Sequence, residues 1–173
     1  MDAVLTPQLV DVVDTVTRIR MYSSGAVRRL TTCRAESWGL HLEFSTPEDP
    51  DIESEACWLL PADGLRLSVQ RPRSRRDRCL YSMLTAVRIE HDLRHWRTTD
   101  MLLGLRVISG SVPRFASSED FAAAVAGGVL RRADADLALH SVHRALEQLS
   151  AHRHDLGSWL AGRGIMQHWP PLF

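Results

Sequence analysis

The chain has 173 residues and no net formal charge at pH 7, with 45% hydrophobic and 24% charged residues. That length and balance suit one folded domain of residues 1–173, large enough to bury a core without disulfide or metal staples. Balanced charge removes the field that nucleic-acid binders use, and no apolar run approaches the roughly 20 residues that span a bilayer.

In chain order, "MDAVLTPQLV" lacks a basic region followed by an apolar core and is expected not to be a secretion signal. Thr6-Pro7 has the form of a helix cap followed by proline at the first helical position. Leu9, Val12, Val13, Val16 and Ile19 follow helical spacing, so residues 1–24 are predicted to form an N-terminal helical segment, although β-branched residues weaken it. From 25 to 113 the pattern changes. "AVRRLTTCRA", "WGLHLEFS", "ACWLLP", "LRLSVQR", "CLYSMLTAVRI" and "TTDMLLGLRVI" alternate or run apolar, broken by "TPEDPD", "PADG", "RPRSRRD" and "SGSVP". Six or seven strands with short turns predict an antiparallel meander, closed into a β-barrel to remove its edges.

Residues 114–173 return to a helical period. "SSEDFAAAVAGGVL" offers Ser117 or Ser118 as cap, acids in the first turn and a stop at Gly127-Gly128. Ala138, Val142, Ala145, Leu146 and Leu149 form one stripe of a second helix, and "DLGSWLAGRGI" reads as a short helix ended by glycine. The expected class is α+β: a barrel with an N-terminal helix and C-terminal helices packed on it.

Cys33, Cys57 and Cys79 are widely spaced and form no C-x-x-C pair, so they are read as reduced thiols of a cytoplasmic protein. All 21 basic residues are arginine, so no lysine serves as nucleophile, Schiff base or phosphate clamp. "HDLRH" places His91 and His95 four apart, but between strands and with an aspartate where a zinc protease needs a glutamate; they read as loop histidines. His140 and His143 share a helical face without a third ligand, and "HRH" at 152–154 suits a helix end. "RPRSRRDR" reads as a solvated hairpin tip, with a phosphate-gripping loop as the alternative. Tyr81, Trp96 and Trp58 are core candidates. No dinucleotide, P-loop or serine-hydrolase motif is present.

Five stretches in order, "WLLPADGLRLSVQRPR" (58–73), "LYSMLTAV" (80–87), "WRTTDMLLGLRV" (96–107), "SSEDFAAAVAGGVL" (117–130) and "HDLGSWLAGRGI" (154–165), resemble the FomD-like family. This is a group of β-barrel domains of unknown function related to hydrolases of nucleoside phosphates and nucleotidyl phosphonates. The resemblance implies a barrel with C-terminal helices and a divalent-metal site in the barrel mouth. It matches Tyr81 to the family's tyrosine, puts Met83 where an asparagine or aspartate follows, and matches Asp100 to the first of two acids four residues apart. Gly104 stands where the second acid would be, Ser117 at the first acid of the next turn, Asp120 at its glutamate, and Ala116 at a basic position. Asp120 has a second reading as a capping-box acid behind Ser117.

The family site therefore lacks hard oxygen donors. Asp100 and Asp120, with Glu119, are the residues left to hold one magnesium or manganese ion through substrate phosphates. The leading expectation is a repurposed member with no metal or other cofactor. It would bind or transform a small, secondary-metabolite-like molecule in the barrel pocket by acid/base catalysis of the cyclase or isomerase kind. Asp100, raised in pKa by desolvation, is the expected acid or base; Tyr81 is the expected donor and Arg97 or Arg106 the counter-charge. Met83, Trp96, Leu102, Gly104 and Arg106 would line the pocket. Asp100 also has a structural reading, as an acid paired with an arginine such as Arg97. The alternatives are a magnesium- or manganese-dependent nucleoside di- or triphosphate hydrolase and a non-catalytic binding protein. The expected partner is a small-molecule substrate, with no nucleic acid or membrane, for a monomer or homodimer.

Overall fold

A computed structural model describes residues 9–74 and 82–165. Ten strands and three helices follow one another: β1 (Val10–Asp14), β2 (Ile19–Met21), β3 (Val27–Arg29), β4 (Thr32–Glu36), β5 (Gly39–Ser45), β6 (Ile52–Leu60), β7 (Leu65–Pro72), β8 (Ser82–His91), β9 (His95–Val107), β10 (Arg114–Ala116), α1 (Ser118–Ala126), α2 (Arg132–Ala151) and α3 (Leu156–Ala161). The strands form one sheet in the order β3-β2-β1-β9-β8-β7-β6-β5-β4, with β10 added to β9. Its end strands, β3 and β4, are successive in the chain, joined only through Leu30 and Thr31. The Leu30 amide donates to the Arg18 carbonyl and the Thr31 amide to that of Glu43. The backbone therefore spans the seam of a curled, barrel-like sheet. The class is α+β, with more strands than the six or seven read from the sequence.

The predicted N-terminal helix is instead the β1–β2 hairpin, and the sheet runs from residue 10 to 116 rather than 25 to 113. The physical reason is local. Asp14 Oδ1 accepts hydrogen bonds from the Val16 and Thr17 amides, and Arg18 takes φ 54°, a turn that competes with helix. The β-branched valines then pair along β9, with Val13 facing Trp96. Val13 is buried while Val16 is 71% exposed, so the helical stripe does not survive as one face. Thr6-Pro7 lies outside the described residues.

Side chains alternate between two faces. Trp58, Leu67, Leu84, Met101 and Leu105 face outward and are buried under the helices. The helices meet them with Ala138, Val142, Ala145 and Leu149, the stripe expected from the sequence, and with Trp159. Val13, Leu40, Leu42, Phe44, Leu59 and Trp96 face inward and form a second apolar cluster. Gly64 holds the β6–β7 turn against α2: a Cβ there would sit 2.7 Å from Ser141 Oγ, at a φ of +64° that favours glycine. Among the described residues no helix is long and apolar enough to cross a membrane.

The first turn of α2 is tied to β8 by Asp134, which is buried and accepts from Arg88 and from Arg131 Nε (2.9 Å). Burial pushes its carboxyl upward, but the Arg131 hydrogen bond and the Arg88 and Arg131 charges outweigh it and hold it below the ordinary aspartate value. A depressed carboxylate stabilises the fold fully above its unfolded pKa and loses that contribution as pH falls. Asp134→Ala should lower the unfolding free energy at pH 7 by about 2–3 kcal/mol. In denaturant melts the deficit should shrink as pH drops below roughly 4.

Candidate ligand site at the polar end of the barrel

Strand β9 changes partner midway. It pairs with β1 through Thr99, opposite Val10, and the Asp100 amide donates to the Leu9 carbonyl. From Gly104 it pairs with β10, placing Gly104 opposite Ala116 and Arg106 opposite Arg114. On its other side the register jumps from Val87–Asp100 to Thr85–Gly104, so Ala86 alone spans Met101–Leu103. This is a β-bulge, and Leu102 carries it at φ 64°, a conformation unusual for a bulky side chain.

Asp100 closes the bulge. Its Oδ1 accepts from the Leu102 amide (2.8 Å) and its Oδ2 from Arg66 of β7 (2.7 Å). Both side chains are mostly buried, at 15% and 18% exposure for Arg66 and Asp100. The arginine paired with Asp100 is therefore Arg66, not Arg97. Arg97 lies on the opposite face of β9, exposed between Val12 and Glu90, because its position is odd where the inward ones are even.

The inner face continues as a polar group around Arg20. Arg20 donates to Asp11 Oδ2 (2.7 Å), lies 3.7 Å from Cys57 Sγ and stands 4.5 Å over the Tyr22 ring. Cys57 Sγ is in turn 3.2 Å from Glu55 Oε1 and 3.4 Å from Ser68 Oγ. Burial pushes the Cys57 thiol up to about 11, so it is a neutral donor and not a thiolate nucleophile. Burial also raises Tyr22, against the opposing pull of Arg20. Arginine, hydroxyl, phenol and thiol donors thus line this end, opposite carboxylates that hold two of them in place.

The other residues singled out by sequence are dispersed. Met83 is half-buried near the bulge, Leu102 packs against the outer cluster under the helices rather than lining the barrel interior, and Arg106 is exposed on β9 beside Met83 and Arg114. Trp96 faces inward but at the other end, stacked on His91 with ring centroids 4.1 Å apart. Glu119 and Asp120 are exposed in the first turn of α1. Ser117 occupies the N-cap position at φ 58° without a side-chain cap bond, so the capping-box reading of Asp120 fails. Tyr81 and Cys79 lie outside the described residues. Sequence reasoning missed Arg66, Ser68, Glu55 and Cys57, although "LRLSVQR" and "ESEACW" place them on one face by simple alternation.

The metal site implied by the resemblance does not fit these donors. Both Asp100 oxygens are already engaged. A Cβ at Gly104 would lie 2.8 Å from the Leu84 carbonyl oxygen, so backbone fills the place of the second acid. Among the described residues no three His, Cys, Asp or Glu side chains converge as a ligand set.

No family model matches the chain, and no curated protein matches it. A crystal structure of a DUF402 protein of unknown function from Rhodococcus sp. RHA1 is similar, with TM-score 0.87 and 28% identity over 94% of this chain and 98% of that one. The phosphatase SC4828, solved with the non-hydrolysable nucleotide GPCP, has TM-score 0.61 and 12% identity over 89% of this chain and 81% of that one. This second likeness extends to the fold alone.

Asp100→Ala should cost about 3 kcal/mol in urea unfolding, since it strands the Arg66 guanidinium and the Leu102 amide together. Gly104→Asp, which restores the acid in sequence, should instead destabilise by about 1–3 kcal/mol through the clash with β8. Calorimetric titration of that variant with manganese should show no binding beyond that of the parent protein.

Proposed function

We propose that the chain binds and transforms a small, oxygen-bearing organic molecule at the polar end of the barrel, by metal-independent acid/base chemistry. The carrying observation is the Arg66–Asp100 pair inside the sheet. Taking two charges from water costs several kcal/mol per ion, and charged groups held in such places concentrate at functional sites. Arg66 gives one N–H to Asp100, and a guanidinium has further N–H groups to offer a substrate carbonyl or carboxylate. Arg20 offers a second such group beside the Tyr22 phenol.

In this reading Arg66 takes the role first given to Arg97 or Arg106. A substrate oxygen that draws Arg66 toward itself weakens its hold on Asp100 Oδ2, and that oxygen then accepts a proton from the substrate. Negative charge developing on the substrate is met by the guanidinium already in place. Tyr81 remains the proposed hydrogen-bond donor to a second substrate oxygen, and Met83 and Gly104 part of the proposed pocket wall; Leu102 packs on the outer cluster instead.

The test is a thermal-shift screen of small carboxylic acids and carbonyl compounds in the presence of a chelator. Stabilising compounds should lose their effect with Arg66→Gln and Asp100→Asn, and turnover of any that react should fall by about 10²-fold or more with Asp100→Asn. Hydrolysis of nucleoside di- or triphosphates with magnesium or manganese, at about 1 per second or faster, would overturn the reading.

A further inference from the structure

The barrel has a second end, away from Arg66 and Asp100, where the β4–β5, β6–β7 and β8–β9 turns surround a groove of about 550 Å³. Trp38, Leu60, Pro61 and Ala62 give it an apolar wall, and Leu93 stands fully exposed at its rim. A single exposed leucine is ordinary. This one is presented by a turn that is fastened on several sides. Asp92 Oδ1 accepts from the Arg94 and His95 amides (2.7 and 2.6 Å), which fixes the backbone around the tip. The Arg94 carbonyl accepts from both the amide and the hydroxyl of Thr15, each at 2.9 Å. The Arg94 guanidinium grips Asp14 Oδ2 with two N–H groups (3.0 and 2.6 Å). The β8–β9 turn is thereby locked to the β1–β2 turn, whose own Val16 is 71% exposed. A leucine held this way docks without the cost of first ordering a loop.

Each charged side chain lining the groove is already engaged within the chain. Arg163 forms a two-pronged pair with Asp63 (2.9 and 3.2 Å). Asp92 holds its two amides and lies 3.6 Å from the His95 ring, and Glu36 is also partnered. An ionic ligand therefore gains no open counter-charge here. Two copies of this surface, by contrast, can meet without like-charge repulsion. The surface carries an apolar knob directly beside an apolar hollow. Under a two-fold axis that passes next to the knob, each copy's knob falls into the other's hollow, so the patch is complementary to itself.

We infer that a second copy of this chain docks here, forming a two-fold dimer in which Leu93 of each copy fills the groove between Trp38 and Pro61 of the other. With one main anchor per copy, the contact belongs to the small class of interface, below about 1,200 Å² in total, so association is weak and depends on concentration. The inner apolar cluster of Val13, Leu40, Leu42, Leu59 and Trp96 separates the groove from the polar end of the barrel. The inference is therefore independent of the function proposed above.

Sedimentation equilibrium of the full chain over a concentration series tests this. The mass should rise from 19.5 kDa toward twice that value, between about 10 μM and 1 mM. Leu93→Asp removes the knob and Ala62→Arg blocks the hollow, both at exposed positions, with circular dichroism confirming that each variant is folded. Each substitution should weaken self-association by about tenfold or more. An equal mixture of the two variants should associate more tightly than either alone, because one intact leucine then meets one intact groove. A mass that stays at 19.5 kDa up to about 1 mM, self-association unaffected by Leu93→Asp, or a mixture that associates no better than its components would each overturn the inference.

Discussion

The carboxylate of Asp100 sits where the sheet has to change partners. β9 leaves β1 after Asp100 and meets β10 at Gly104, and the backbone between them belongs to neither ladder. A buried amide left without a partner there would cost about 1–3 kcal/mol. Asp100 supplies that partner to Leu102, which lets the chain hold a left-handed residue without glycine. The price is a buried negative charge, and Arg66 neutralises it from the next strand but one. The bulge, the partner exchange and the interior ion pair are thus one arrangement.

That arrangement bears on the resemblance to metal-dependent barrels. A divalent ion needs oxygens with lone pairs to spare, arranged on several sides. Asp100 already holds the Leu102 amide on one oxygen and Arg66 on the other, so a cation there would have to displace the guanidinium, and the β8 carbonyl of Leu84 approaches where a neighbouring acid would have to start. The difference from the implied site is thus not a missing side chain alone. The main chain around it is shaped for glycine, and for a positive rather than a metallic counter-charge.

How much of this could be read from the sequence follows from the range of each interaction. Alternation in 39–45, 52–60 and 65–72 depends on neighbours and gave strands; the α2 stripe at Ala138, Val142, Ala145 and Leu149 gave a helix for the same reason. The valines of 10–16 fit both periods. What decides between them is the Asp14 turn and the pairing with β9, far along the chain. The site was half legible. Asp100 stood out as a lone acid in an apolar strand, but Arg97 was assigned to it by adjacency when alternation turns that residue outward. Arg66 is 34 positions away, and only knowledge of which strands neighbour one another brings it in. The bulge itself has no sequence signal, because a leucine occupies the position where glycine would have announced it.

The all-arginine composition acquires a structural meaning in the same light. The pairs of Arg20 with Asp11, Arg66 with Asp100, Arg88 with Asp134, and Arg163 with Asp63 each join elements that only the fold brings together. A lysine ammonium could balance these charges, but as a flexible point charge it would not fix an angle between two elements. Arg163 shows the difference, since its planar fork engages Asp63, Gln148 and the Trp159 carbonyl at once while its face covers the indole. Arg20 combines Asp11, Cys57 and the Tyr22 ring in the same manner. A guanidinium fixed by an aspartate on one edge presents its remaining edge in a set direction. At the polar end of the barrel, the contacts that hold the strands together are therefore also what give an incoming oxygen a preformed place to bind.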